Sequence, residues 1–114
     1  MTTEKKVKVL GEEITIRFNM AVEIAFEDIT GEAFSIQSLD KQKNSVALCM
    51  AAIIVNNPDT KITMEQFIKD VSAAEYTTLV SYIVEAMTEW MKIPAVMPEE
   101  PKSEEAEQED APKN

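Results

Sequence analysis

The sequence predicts an α+β fold, mainly helical, with an N-terminal β-hairpin followed by about four helices around a buried central helix. Three observations predict it. Residues 5–18 alternate in polarity about a glycine, as strands with one buried face do. Val46–Val55, VALCMAAIIV, is ten apolar residues with no polar interruption. Downstream, Thr63 and Ser72 each open a helix-start signature. Together these define one globular domain over residues 1–94 and an acidic tail over residues 95–114.

The hairpin comes first. Val7 and Val9 fall opposite Lys6 and Lys8, and Ile14, Ile16 and Phe18 fall opposite Thr15 and Arg17, about a turn at Gly11-Glu12. A lone hairpin is marginal in water, so its apolar face must rest on helices or on another subunit. Asn19 is placed to cap a helix over residues 20–30, which Thr30-Gly31 ends as a C-terminal glycine does. Met20 and Ile24, with Ala21 and Ala25, are expected to form its inner stripe, and Glu23 and Glu27 a solvated face. Phe34, Ile36 and Leu39 tack the next connection to the core.

The central helix is expected over residues 41–56. Ser38 or Asp40 would start it, and Asn56-Asn57-Pro58-Asp59 would stop it. Ala, Leu and Met favour helix over strand here, and Val46, Cys49, Met50, Ile53 and Ile54 keep i, i+3, i+4 spacing. A helix that is apolar all round has no solvent face and belongs in a core or a subunit contact. Ten residues are about half of what a bilayer requires. Helices over residues 64–71 and 73–92 follow. Thr63-x-x-Gln66 and Ser72-x-x-Glu75 have the form of capping boxes, with Ile62/Phe67 and Val71/Tyr76 as their hydrophobic staples. Tyr76, Leu79, Val80, Ile83, Val84, Met87, Trp90 and Met91 form an amphipathic stripe that Pro94 ends. Beyond it, AVMPEEPKSEEAEQEDAPKN has too little apolar mass to offset its ordering entropy, and disorder is expected there.

Charge and composition narrow the function. The chain carries 11 basic and 21 acidic residues, a net charge of −10. Half of it lies in the last fifth of the chain, since residues 1–94 and 95–114 are each −5. Such a field repels nucleic-acid phosphates and anionic membranes, so no nucleic-acid and no membrane partner is expected. One cysteine cannot form an internal disulfide and fits a reducing compartment. Cys49 lies within the apolar run, where it acts as a small hydrophobe rather than a nucleophile. The N-terminus, MTTEKKVKVL, lacks the apolar stretch of a signal peptide.

Catalytic equipment is not visible. There is no histidine, the usual general base and metal ligand. With Gly11 and Gly31 the only glycines, neither a phosphate-cradling loop nor a dinucleotide fingerprint is possible. Asn57–Asp59 lacks the glycine and closing glutamate of an EF-hand loop. Adjacent carboxylates at Glu27-Asp28 have no neighbour in sequence that would raise a pKa. A non-enzymatic protein with no cofactor and no metal is expected. Seven methionines fill a core or form an adaptable docking surface. The candidate partner-binding residues are Met87, Trp90 and Met91, with Tyr76 and Ile83 on the same stripe.

The order of these elements resembles the tail assembly chaperones of long-tailed, siphovirus-like bacteriophages and prophages. The residues carrying the resemblance are Ile14–Phe18 closing the hairpin, the helix from Met20 to Ile29, and Phe26-Glu27-x-x-Thr30-Gly31 with Phe34 after it. The apolar Ala-rich helix, the Asn57-Pro58-Asp59 break, Thr63-x-Glu65-Gln66-Phe67 and the final amphipathic helix complete it, over roughly residues 10–94. The resemblance implies a chaperone in the cytoplasm of the bacterial host that coats the apolar tape-measure protein until tail-tube subunits polymerise around it. It also implies a longer frameshifted form in some systems, for which the codons of Pro112-Lys113-Asn114 are a candidate slippery run. The alternatives are a structural tail or connector subunit, a homo-oligomeric ring joined through Val46–Val55 and the hairpin edge, and an acidic inhibitor that mimics nucleic acid.

Overall fold

The computed structural model describes residues 4–92. Strands β1 (Lys5–Val9) and β2 (Glu12–Ile16) pair antiparallel with Val9 opposite Glu12 and Lys5 opposite Ile16. Helices α1 (Met20–Thr30), α2 (Gln42–Asn56), α3 (Met64–Asp70) and α4 (Ala73–Trp90) follow, with a short 3-10 turn at Gln37–Asp40 before α2. This is the expected hairpin and four helices. The expected tail over residues 95–114, and Pro94, lie outside the described residues.

The hairpin turn is Leu10-Gly11, one residue earlier than the sequence reading placed it. Both have positive φ, 50° and 86°, as the twist-compatible two-residue turn demands. Left-handed backbone at a leucine costs roughly 1–2 kcal/mol. Offsetting it, the Leu10 side chain packs on the core and its N–H donates to Glu75 Oε2 at 3.4 Å. The register sets Val7, Val9, Ile14 and Ile16 on one face, which is buried or half-buried against α2 and α4.

α2 is the element the others cover. Ala47 to Ile53 are all buried, as a run without a polar face requires. Ile54 departs from the expectation at 47% exposed, because no element among the described residues covers that side of the helix. Neither Ser38 nor Asp40 caps α2. Its N-cap is Lys41, with no side-chain bond, and Ser38 instead closes the 3-10 turn with Ser35. The first turn is held by Asn44, whose Nδ2 donates to the Ser38 carbonyl at 2.8 Å. The other three caps form, although at Thr63 only half of the expected box is present, with no bond from the Gln66 side chain back to Thr63. Asn19 accepts from the Val22 N–H, Thr63 from Gln66, and Ser72 with Glu75 completes a reciprocal capping box.

The inner stripe of α1 is a correction. Val22 and Phe26 are buried, while Met20 and Ile24 are 56% and 54% exposed and Ala21 is exposed. Both pairs have i, i+4 spacing, so spacing alone does not choose between them. Aromatic volume does. Phe26 packs edge-on against Phe34 at 5.3 Å, and Phe34 continues to Phe18 and Phe18 to Trp90. Leu39 packs on the core as expected, but Ile36 is 56% exposed and tacks nothing down.

Polar side chains from the α2–α3 connection fasten the hairpin. Asn57 Oδ1 accepts from the Thr15 N–H and its Nδ2 donates to the Thr15 carbonyl, both at 2.9 Å. Asn56 Nδ2 donates to the Arg17 carbonyl at 3.0 Å. Glu12 accepts from the Thr60 hydroxyl at 2.6 Å and the Lys61 N–H at 3.0 Å. Loss of Asn57 would strand strand-edge groups that water reaches only in part. Asn57→Ala is therefore expected to cost about 1–3 kcal/mol in urea unfolding, more than a surface substitution. The Thr60 and Lys61 bonds hold the Glu12 carboxyl below its usual pKa. A depressed folded-state pKa gives stability that is present above the unfolded value and is lost as pH falls through the folded one. Glu12→Gln should thus lower the melting temperature at neutral pH and reduce the further loss on acidification through the carboxylate range.

Candidate functional site

The five residues singled out on α4 and its C-cap do not form one surface. Ile83 and Met87 are 1% and 5% exposed, so they belong to the core. Tyr76 is half-buried. Its hydroxyl donates to Ser45 Oγ at 2.8 Å and accepts from Gln42 Nε2 at 3.1 Å, which ties α4 to the start of α2. Only Trp90 and Met91, each 38% exposed, reach solvent, and the Trp90 ring lies against Phe18 at 5.4 Å. The stripe of an amphipathic helix is what a core takes first. Ala86 joins it, while Val84, expected on that stripe, is exposed.

The available apolar surface lies elsewhere, between the end of α1, the first turns of α2, and α3. A hollow of about 590 Å³ opens there, lined by Ile29, Val46, Ala47, Met64 and Ile68, with Lys43 among the polar residues of its lining. A second of about 390 Å³ shares Gln42, Val46 and Ile68 with it and extends past Phe67 and Val71 to Tyr76. They lie side by side over the start of α2, with those three residues as shared walls, and make up its apolar groove. Ile68 is 61% exposed and Ile29 39%, so large aliphatic groups are held open to water.

Local sequence explains this arrangement. Phe67 is the staple residue of α3 and is fully buried beside Tyr76, with their rings 6.4 Å apart. On a helix, residue i+1 cannot share that direction, so Ile68 is turned outward. Helix α3 has only seven residues, and its buried anchors are Phe67 and the preceding Ile62. Ile29 lies on the same face of α1 as Val22 and Phe26, at i, i+4, i+7 spacing, but in the last turn of the helix, where it is 39% exposed. Ile29, Met64 and Ile68 are not among the residues singled out from the sequence, and Val46 is there only as part of the apolar run; a signal exists for Ile68 alone, an aliphatic residue directly after the staple residue Phe67.

Asn44 lies in the lining of the groove and is 1% exposed. With Nδ2 committed to Ser38, its Oδ1 has no hydrogen-bond partner among the described residues. The sequence offered no sign of it.

The groups able to do chemistry are elsewhere or inert. Burial pushes the Cys49 thiol up to about 12, which leaves no thiolate at neutral pH. Glu27 and Asp28 are exposed on the outer side of α1. Among the described residues no group of acidic, cysteine or histidine side chains has the geometry of a metal site, and no helix is long and apolar enough to cross a membrane. What the groove supplies is adaptable apolar contact.

The division between core and groove is directly measurable. Ile83→Ala should cost about 2–5 kcal/mol by chemical denaturation. Ile68→Ser should stay within about 0.5 kcal/mol of the parent, since it removes an aliphatic group already in water. Searches against protein-family models, curated proteins and solved structures found no match to this chain.

Proposed function

We propose that this chain is a non-enzymatic assembly chaperone of the long-tailed phage type. In this reading it acts in the cytoplasm of the bacterial host, where it binds and solubilises apolar helical stretches of the tape-measure protein until tail-tube subunits take its place. The observation that supports this best is the apolar groove beside α3, with Ile29 and Ile68 held in water at its margins. An amphipathic helix docks in such a groove through residues at i, i+3, i+4 and i+7.

Three features suit the task. Met64 lets one wall repack around side chains of different shape at little strain. Helix α3 has few buried anchors, so the groove can change width without disturbing the α1–α2 pair. The net charge of −10 keeps a complex with a long apolar partner in solution. A holdase requires no reactive centre.

Co-expression with a tape-measure protein of a long-tailed phage from the same genome tests the reading. The parent chain should hold that protein in the soluble fraction as a complex. Ile68→Glu, which places a charge in the groove, should lose the complex while keeping the helical circular dichroism and melting temperature of the parent. Equal solubilisation by Ile68→Glu and by Val46→Glu would remove the groove from the function.

A further inference from the structure

We propose that the outer edge of β1 is a second docking surface, one that takes an extended acidic segment of a partner chain as a third strand. The proposal does not depend on the groove or on the chaperone reading.

The two edges of this hairpin differ. Thr15 turns its N–H and carbonyl away from β1, because both are bonded to Asn57. Its partner in the register, Lys6, must likewise point its backbone groups outward, and with a period of two so must Lys8. On the β2 side the connection after α2 covers the edge, through Asn57 at Thr15 and Asn56 at Arg17. On the β1 side no backbone or side-chain group among the described residues meets Lys6 or Lys8 main chain. A strand can therefore add to this sheet at β1 and not at β2.

The charge at that edge selects the occupant. Lys5, Lys6, Lys8 and Arg17 are four of the 11 basic residues, gathered on a hairpin within a chain of net charge −10. Lys5 is spent on Glu85 at 3.1 Å, and Arg17 lies 3.6 Å from Glu4. Lys6 is 3.8 Å from Glu4 and 3.4 Å from the Thr15 hydroxyl, an exposed and easily exchanged set of contacts. Lys8 faces Glu13 across the register but makes no ion pair within 4 Å among the described residues. Edge lysines repel a like strand, so a second copy of β1 is disfavoured there. The same charges admit a strand whose outward residues are Glu or Asp, since cross-strand opposite charges are favourable and like charges are not.

The test uses the full chain, isotopically labelled, and two acetylated decapeptides that alternate Val with Glu or Val with Lys. The Glu peptide should shift the Lys6 and Lys8 amides and slow their exchange, and the Lys peptide should bind at least about tenfold more weakly. Lys8→Pro removes one outward donor from an edge strand that tolerates proline, and should abolish binding without unfolding the chain. Lys6→Glu with Lys8→Glu, which leaves the backbone donors in place, should reverse the peptide preference. Ile68→Glu should leave it unchanged, which separates this surface from the groove. Equal binding of both peptides, Lys6 and Lys8 amides already protected in the free chain, or a dimer formed through β1 would each overturn the proposal.

Discussion

Helix α2 cannot face water, and the fold follows from covering it. Seven successive residues, Ala47–Ile53, are buried, so cover has to come from several directions. The hairpin supplies Ile14 and Ile16, α1 supplies Val22 and Phe26, and α4 supplies Leu79 and Ile83. None of these elements is stable alone: the sheet has two strands, and the helices are amphipathic surfaces without a partner. The apolar helix thus acts as the shared wall on which marginal pieces become a domain. Its two ends are handled differently. At the C-terminal end Asn56 and Asn57 turn a helix terminus into a clamp on the hairpin, whereas at the N-terminal end Lys41 makes no side-chain cap and Asn44 Oδ1 has no partner among the described residues.

Much of this was legible in the sequence because the signals were local. Period-two alternation located the hairpin, and Asn19, Thr63 and Ser72 marked helix starts whose chemistry is set within three residues. The turn was misplaced by one residue because a leucine at positive φ has no local signature; it is held there by Glu75, which is 65 positions away. The start of α2 was misassigned for a similar reason. Ser38 and Asp40 have the right side chains for caps, but the 3-10 turn used Ser38 before the helix began.

The faces of helices were less legible than their limits. In α1, Met20/Ile24 and Val22/Phe26 offered two apolar pairs with the same spacing, and only the aromatic cluster of Phe18, Phe26, Phe34 and Trp90 decides between them. In α4 the apolar stripe is real, but Leu79, Ile83 and Met87 of it go into the core while Val84, Trp90 and Met91 stay exposed, so periodicity alone does not mark a docking surface. The open groove arises from what each helix has left over once its best residues are inside. Such leftovers depend on how three elements meet, and no window along one of them contains that information.

Glu75 links two of these regions. One oxygen of its carboxylate completes the capping box at the start of α4 by accepting from the Ser72 N–H at 3.2 Å, and the other accepts from Leu10 at the hairpin tip. A single side chain thus closes the first turn of the longest helix and holds a leucine in an unfavourable backbone well. Fraying at either place releases a restraint on the other, so the tip and the helix start should open as one cooperative unit in hydrogen exchange, although most of the chain separates them in sequence.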